Sequence, residues 1–382
     1  MTSSQMPPQY GPDQETTPPA QTQQEVPWRT PVIPQTPNTQ PPPYLPPVGW
    51  RPGYRQEHQE LGYHRLALTD PKSRWWKPLV EAVIGAPLYL VLALILSIAL
   101  LIPSLMSALK EQAASGQMTI DATATASDMT AQLQAQALTD PLIFTVLFGS
   151  VALMFPCLWL ARLIMGPKPW GLIHSVAGRM RWGWLMVCLG LSTLIMVLIP
   201  LALEAATGST YQLAPQAQGT TLIVLLICIG LVVPFQAYAE ELVFRGFLMQ
   251  SIGRWLKHPA WAIVLPAPLF MLGHMYDLWG QLSVLTLGIA AGYITWRTGG
   301  LEAAIALHTV NNLVAMTFGV FGLADPFLQE GSNLAGFTSS LITNGIFVLV
   351  VVLLAKKKNL ARTRPAQVWV KEQPTPRPAP VR

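Results

Sequence analysis

Three groups of polar residues interrupt otherwise apolar stretches in the second half of this 382-residue chain. The first group reads EELVFR at residues 240–245. Glu241 and Arg245 are four residues apart, so on a helix they share a face and can form an ion pair, while Glu240 is turned about 100° away. Two carboxylates in unlike environments are a route to a tuned general base, although a helix end in contact with water would also explain the pattern.

The other two groups each place a histidine four residues from a second side chain. Phe270 and His274 form one pair, and His308 and Asn312 form the other. A histidine and an asparagine on one helix face can donate two hydrogen bonds to a developing oxyanion. Each pair alone also fits ordinary packing, in which histidine and asparagine bond between helices. The three groups together favour a catalytic site.

The composition places these residues in a membrane protein. Charged residues make up only 11% of the chain and hydrophobic residues 51%, whereas soluble domains carry about 25% charged residues. The basic residues flank apolar spans, which indicates topology charges rather than a nucleic-acid surface. Cys157, Cys188 and Cys228 lie in apolar runs without CxxC spacing, which argues against disulfides and a cysteine-rich zinc site.

The apolar runs predict an all-α polytopic membrane protein with about eight transmembrane helices and a polar catalytic cavity. Loops rich in lysine and arginine alternate with acidic loops, which predicts an integral multi-pass protein with both termini cytoplasmic. Pro266 and Pro268 predict an irregular segment around 259–267 and a helix bearing His274 that begins near Pro268. The predicted spans are 80–106, 142–165, 183–203, 221–239, 260–276, 281–297, 301–321 and 337–355.

Two tails flank the predicted membrane domain, which covers residues 76–355 with its motifs within 220–320. Residues 1–75 are rich in proline and glutamine and predict a disordered cytoplasmic tail. The run PPPY at residues 41–44 resembles a WW-domain ligand, although a proline-rich spacer explains it as well. Residues 356–382 predict a basic, proline-containing cytoplasmic tail.

The order and spacing of the three motifs resemble the CPBP intramembrane endopeptidases, also called the Abi or CAAX-protease-like family. That family is recognised by EExxxR, FxxxH and HxxxN, which here begin at Glu240, Phe270 and His308. The resemblance implies that Glu240 and His274 activate a water, and that Glu241 and Arg245 form a supporting pair. It also implies that His308 and Asn312 stabilise the oxyanion. The expected substrate is a membrane-associated peptide or protein, and the expected partner is the lipid bilayer, with no nucleic acid and no cofactor.

Three alternatives remain open from the residues. Glu240, His274 and His308 form a legitimate zinc ligand set, although the compact HExxH motif is absent. Asp277 and Asp325 faintly suggest an aspartyl protease. A non-catalytic transporter, scaffold or immunity protein of the same fold would also carry polar groups inside the membrane.

Overall fold

A computed structural model describes residues 50, 52–115, 131–167, 169–207, 212–327 and 332–372. The PPPY run at 41–44, the rest of residues 1–49 and the end of the predicted basic tail at 373–382 lie outside the described residues.

The first half of the membrane domain consists of long apolar helices. Asp140 caps α2 through its side chain, which accepts from the backbone N–H groups of Leu142 and Ile143, and Pro141 occupies the first turn, where its missing N–H costs no helical bond. α2 and α3 together form one apolar span, Pro141–Met165. The helices of this half are α1 (Lys77–Ser115), α2 (Pro141–Ala152), α3 (Met154–Met165), α4 (Trp182–Thr207) and α5 (Gly219–Glu241), with a short helix at 131–137.

The second half begins where α5 widens into a π-helical turn, Leu242–Leu248. Three short helices and three long ones follow. They are α6 (Met249–Trp255), α7 (Pro259–Val264), α8 (Pro266–Leu272), α9 (Leu278–Thr298), α10 (Glu302–Val320) and α11 (Leu334–Lys357).

Seven apolar helical segments in the described part of the chain are long enough to cross a membrane, which confirms the predicted all-α polytopic class. Residues 260–276, predicted as an eighth span, instead form α7 and α8, and the stretch Pro259–Leu272 is shorter than the roughly 20 residues that a hydrocarbon core requires. The seven segments are Lys77–Pro103, Pro141–Met165, Trp182–Ile199, Gly219–Trp255, Leu278–Thr298, Glu302–Val320 and Leu334–Lys357.

The predicted irregular segment at 259–267 is wrong, because α7 and α8 are helical on both sides of Leu265, which itself keeps right-handed helical dihedral angles. Pro259 and Pro266 each stand in the first turn of a helix, where proline removes no intrahelical hydrogen bond. His274 lies beyond the last residue of α8 rather than on a helix. The position of the His274 side chain is therefore set by a loop and not by the spacing of a helix.

Two strands join the parts of the chain that the sequence predicts to be tails. β1 (Tyr54–Gly62) pairs antiparallel with β2 (Thr363–Lys371), and a 3₁₀ helix, Tyr63–Thr69, follows β1. Part of the predicted disordered tail is therefore ordered. The 3₁₀ helix packs so closely on α6 that a Cβ at Gly253 would lie 2.0 Å from the His64 carbonyl oxygen, so this contact requires glycine. We call β1, β2 and the 3₁₀ helix the terminal cap.

α10 is the central helix of the bundle. It packs against α4, α5 and α9, and 61% of its apolar window is buried, whereas only 6% of the window of α1 is buried. The exposed apolar side chains of α1, such as Leu90 and Leu94, fit contact with lipid. The helix that carries His308 therefore lies in the protein interior, where its polar groups need protein partners.

Candidate active site

The end of α5 brings two carboxylates into the interior. Glu240 is 7% exposed and Glu241 is 1% exposed. Glu241 Oε1 lies 2.7 Å from Arg245 Nη1, so the chain contains the ion pair that the spacing predicts. Arg245 stands within the π-helical turn, Leu242–Leu248. Such turns are rare and are frequently found at functional sites.

The Arg245 guanidinium is buried, and it has two further partners besides Glu241. Nη2 donates to the Gly288 carbonyl oxygen at 3.2 Å, and the guanidinium carbon lies 4.3 Å from the centre of the Phe270 ring. A Cβ at Gly288 would lie 3.3 Å from Nη2, so the absence of a side chain there lets the arginine approach the α9 backbone. A buried ion pair needs such additional bonds to offset its desolvation.

His308 joins the two carboxylates. Its Nδ1 lies 2.9 Å from Glu241 Oε1, and a carboxylate bound to arginine only accepts hydrogen bonds, so Nδ1 carries the proton. Its Nε2 lies 3.1 Å from Asn312 Nδ2, an amide donor, so Nε2 accepts. The partners therefore assign a neutral imidazole with its proton on Nδ1.

Glu240 has a different environment from Glu241. Its Oε2 lies 3.2 Å from His308 Nε2, but this oxygen is buried and has no hydrogen-bond partner among the described residues. Two acceptors face each other across this gap, because His308 Nε2 carries a lone pair in the tautomer assigned above. A buried polar atom without a partner is costly, so this position favours a water or a shared proton.

A second amide extends the network beyond the predicted residues. Asn312 Nδ2 donates to Gln236 Oε1 at 3.0 Å, and Asn311 Nδ2 donates to Asn312 Oδ1 at 3.1 Å. Both hydrogens of the Asn312 amide are thus engaged, by Gln236 and by His308. Gln236 was not predicted. Its position four residues before Glu240, in an apolar helix, was the available signal, since an amide inside a membrane usually has a partner.

His274 lies beside this network rather than within it. Its Nδ1 is 3.0 Å from the Phe270 carbonyl oxygen, and its ring is 4.9 Å from the Phe270 ring. Phe270 also contacts the His308 ring, at 5.5 Å between centroids. No hydrogen bond or ion pair joins His274 to Glu240 within the described ranges. Since a carbonyl only accepts, Nδ1 of His274 carries the proton and Nε2 keeps its lone pair.

Tyr276, which was not predicted, supports His274. The two rings stack with centroids 6.0 Å apart, and the Tyr276 hydroxyl donates to the Pro326 carbonyl oxygen at 3.1 Å. Burial, reinforced by the charges of Asp325 and Glu240, raises the pKa of Tyr276. The phenol therefore remains a hydrogen-bond donor, and it ties the loop bearing His274 to the loop after α10.

The two aspartates of the aspartyl-protease alternative have structural roles. The Asp277 side chain accepts from the backbone N–H groups of Gly280 and Ser332, which caps α9. These backbone bonds lower the pKa of Asp277. The Asp325 side chain accepts from the Phe327 backbone N–H at 2.9 Å. Both carboxylates thus stabilise loop turns.

The zinc alternative requires three ligands around one point. Across the residues that the structure describes, no group of three or more histidine, cysteine, aspartate or glutamate side chains is arranged to hold a metal ion. Glu240 and His308 are adjacent, but the ring of Phe270 contacts both His274 and His308. His274, the third ligand of the zinc alternative, would therefore have to move toward Glu240 and His308.

The segment that carries these residues matches a known protein family. Residues 219–314 match the family described as "Type II CAAX prenyl endopeptidase Rce1-like", a range that contains every site residue from Gln236 to Asn312. The chain is 28% identical over 224 residues to "Uncharacterized protein YyaK" of Bacillus subtilis (strain 168), which covers 56% of this chain and 72% of that protein. No solved structure matches the chain.

Proposed function

We propose that this chain is an intramembrane endopeptidase of the CPBP family, because residues 219–314 match the Rce1-like type II CAAX prenyl endopeptidases. It hydrolyses a peptide bond of a membrane-associated protein or peptide by direct attack of water. The observation that carries this proposal is the unpaired Oε2 of Glu240, buried 3.2 Å from His308 Nε2.

The two neighbouring glutamates have different roles in this proposal. Arg245 holds Glu241 as a carboxylate, whereas Glu240 faces His308 without a cation beside it. A water next to Glu240 Oε2 loses a proton to that oxygen as its own oxygen bonds to the substrate carbonyl carbon. General-base catalysis of this kind contributes roughly 10²–10⁴-fold.

His308 receives the proton that Glu240 takes from the water. The 3.2 Å gap between Oε2 and Nε2 becomes a hydrogen bond once either atom is protonated. The resulting imidazolium is stabilised by the ionised Glu241 at Nδ1, 2.9 Å away. The proton then passes to the leaving amine nitrogen as the carbon–nitrogen bond breaks, which yields a carboxylic acid and an amine.

The oxyanion of the tetrahedral intermediate requires donors that the resting network does not leave free. Protonation of His308 supplies a donor at Nε2 and releases one hydrogen of Asn312, whose amide otherwise donates to that atom at 3.1 Å. Each such donor is worth roughly 10²–10³-fold when it is aimed at the developing charge. The donors thus become available in the step that creates the oxyanion.

His274, whose ring contacts the same Phe270 ring as His308 does, completes the site. Its Nδ1 bonds to the Phe270 carbonyl oxygen, which leaves Nε2 to accept a hydrogen bond from the second hydrogen of the attacking water without removing it. Tyr276 holds the ring in this orientation by stacking. We further propose that the reaction needs no metal, and that the protein is oriented with both termini in the cytoplasm.

The test is cleavage of a panel of membrane-anchored peptides by purified protein in lipid, with and without a chelator. Glu240→Gln should lower cleavage by at least 10²-fold, and Glu60→Gln on the exposed edge of β1 is the matched control that should leave it unchanged. Chelator-resistant activity that depends on Glu240 supports the proposal. Chelator-sensitive activity would favour zinc, and an active Glu240→Gln variant would show that another group is the base. A folded wild-type protein that cleaves no peptide of the panel would favour the non-catalytic scaffold.

A further inference from the structure

A basic pocket lies between the terminal cap and the membrane helices, away from the site described above. It has a volume of about 400 Å³ and is lined by Arg65 of the 3₁₀ helix, Lys371 of β2, and Arg254 and Lys257 at the end of α6. The acidic residue in its lining is Asp70. Four cations and one carboxylate give the pocket a net charge of +3. Three segments distant in sequence thus converge on one positive cavity.

Three of the four cations lining this pocket have no ion-pair partner among the described residues. Asp70 is already engaged by Lys77, 3.9 Å away, and by the backbone N–H of Lys72. Arg65, Lys257 and Lys371 form no ion pair with any residue that the structure describes. The Nε atom of Arg65 is buried without a hydrogen-bond partner. An arginine donor buried without an acceptor is costly, so an anion in the pocket would relieve it.

The residues next to the pocket are of the types that are found where a hydrocarbon core ends. α1 begins at Lys77, whose ammonium group donates to the last carbonyl of α3 at Met165. The exposed indoles of Trp75 and Trp255 mark the same level, and the Trp255 indole donates to the Trp75 carbonyl oxygen at 3.0 Å. Tryptophans are enriched at this level because their rings lie among lipid headgroups. This neighbourhood is the one expected of cations at the depth of lipid phosphate groups.

We propose that the pocket formed by Arg65, Arg254, Lys257 and Lys371 binds a phosphate-bearing anion, and that in the membrane this anion is the headgroup of an acidic phospholipid. The guanidinium groups bind two phosphate oxygens and the ammonium groups neutralise the remaining charge. Because the ligand contacts β2, the 3₁₀ helix and the end of α6 together, its binding would fasten the terminal cap to the membrane domain. Lipid binding here does not depend on the proposed peptidase activity.

The experiment titrates the purified full chain in detergent with phosphatidylglycerol or phosphatidylcholine and measures bound lipid by native mass spectrometry. The wild type should bind phosphatidylglycerol at least 10-fold more tightly than phosphatidylcholine. The pocket variant Arg65→Gln/Lys257→Gln/Lys371→Gln should lose at least 10-fold in affinity. The matched control Lys356→Gln/Lys357→Gln/Lys358→Gln removes the same charge from the end of α11, outside the pocket lining, and should change affinity less than 2-fold.

Further measurements distinguish a lipid headgroup from free phosphate and provide variants in case the triple variant does not fold. Inorganic phosphate should compete with phosphatidylglycerol in the wild type, whereas stabilisation by phosphate without any phosphatidylglycerol binding would overturn the lipid assignment. Arg65→Lys keeps the charge but loses the two-point contact of the guanidinium, so it should weaken binding less than the triple variant does. The double variant Lys257→Gln/Lys371→Gln should still weaken binding if the triple variant does not fold. Equal losses in the pocket and control variants, or no loss in the pocket variant, would overturn the proposal.

Discussion

Nε2 of His308 lies 3.2 Å from Oε2 of Glu240, although the two residues belong to different helices and are 68 positions apart in the chain. The other nitrogen of the same ring binds Glu241, the next residue along α5. One imidazole therefore contacts a carboxylate that is already paired with arginine and a carboxylate that is not. This asymmetry is the feature of the site from which its proposed chemistry follows.

Glu240 and His308 should act as one unit. We expect His308→Gln to lower cleavage by at least 10²-fold, because the substituted amide cannot take up the proton that Glu240 removes from water. The double variant Glu240→Gln/His308→Gln should be no slower than the slower single variant, since residues that share one proton transfer are strongly non-additive. Turnover numbers of the three variants in the same lipid check this. Multiplicative losses would contradict a shared proton path.

The Glu241–Arg245 pair should contribute to stability as well as to chemistry. Glu241→Gln removes the partner of a buried guanidinium, and breaking such a pair costs about 3–5 kcal/mol. Glu241→Gln/Arg245→Met should recover part of this loss, because it removes the buried charge as well. Thermal unfolding in detergent measures both, with Glu60→Gln as the control. A single variant as stable as the wild type would contradict the buried-pair interpretation.

Gly288 should be intolerant of a methyl group although it lies on α9, outside the three motifs. An added Cβ would lie 3.2 Å from the Ala267 Cβ and 3.3 Å from Arg245 Nη2. Overpacking of this kind costs about 1–3 kcal/mol, and here it would displace Arg245 from the Gly288 carbonyl. We expect Gly288→Ala to lower both stability and cleavage. Gly230→Ala on α5, where a Cβ would meet no heavy atom within 4 Å, is the matched control.

The terminal cap should loosen in acid. Burial lowers the pKa of His64 below its ordinary value of 6.5, so the unfolded segment binds a proton at a pH where the folded one does not. The contribution to stability is therefore complete above about pH 6.5 and is lost as the pH falls toward the lowered value. Protection factors for hydrogen exchange of residues 54–69, which are corrected for the intrinsic pH dependence of amide exchange, should be lower at pH 5.5 than at pH 7.5.

The matched variants for that measurement lie in the same segment. His64→Gln should remove most of the pH dependence, because the titrating group is gone. His58→Gln, on the exposed side of β1, should preserve it. Protection factors in the cap that are equally pH-dependent in His64→Gln would assign the effect to another group.

Several features of this protein follow from the local periodicity of its sequence. The pairing of Glu241 with Arg245 follows from a spacing of four residues, because i,i+4 side chains share a helix face. The same spacing puts Asn312 beside His308, where the structure has it at 3.1 Å. The polar motifs stand out because charged and amide side chains are rare in membrane-spanning segments. None of these inferences requires knowledge of how the helices pack.

Other features could not be read from the sequence. The stretch 260–276 has the composition of a span, but proline restarts the helix at Pro266 and the helix ends at Leu272. The pairing of β1 with β2 joins residues that are about 300 positions apart, and no local pattern records such a contact. The role of Gln236 depends on which helix faces α5, and this was not predictable from α5 alone.

The sequence by itself determined which apolar segments are long enough to cross a membrane. It also determined which residues form the three motifs and which side chains could take part in chemistry. Only the tertiary structure decided that His308 rather than His274 contacts the glutamates, that Gln236 holds Asn312, and that the terminal segments pair. The physical reason is that lipid-facing and protein-facing positions of membrane helices are similarly apolar. Hydropathy therefore identifies the helices, whereas their packing decides which polar side chains meet.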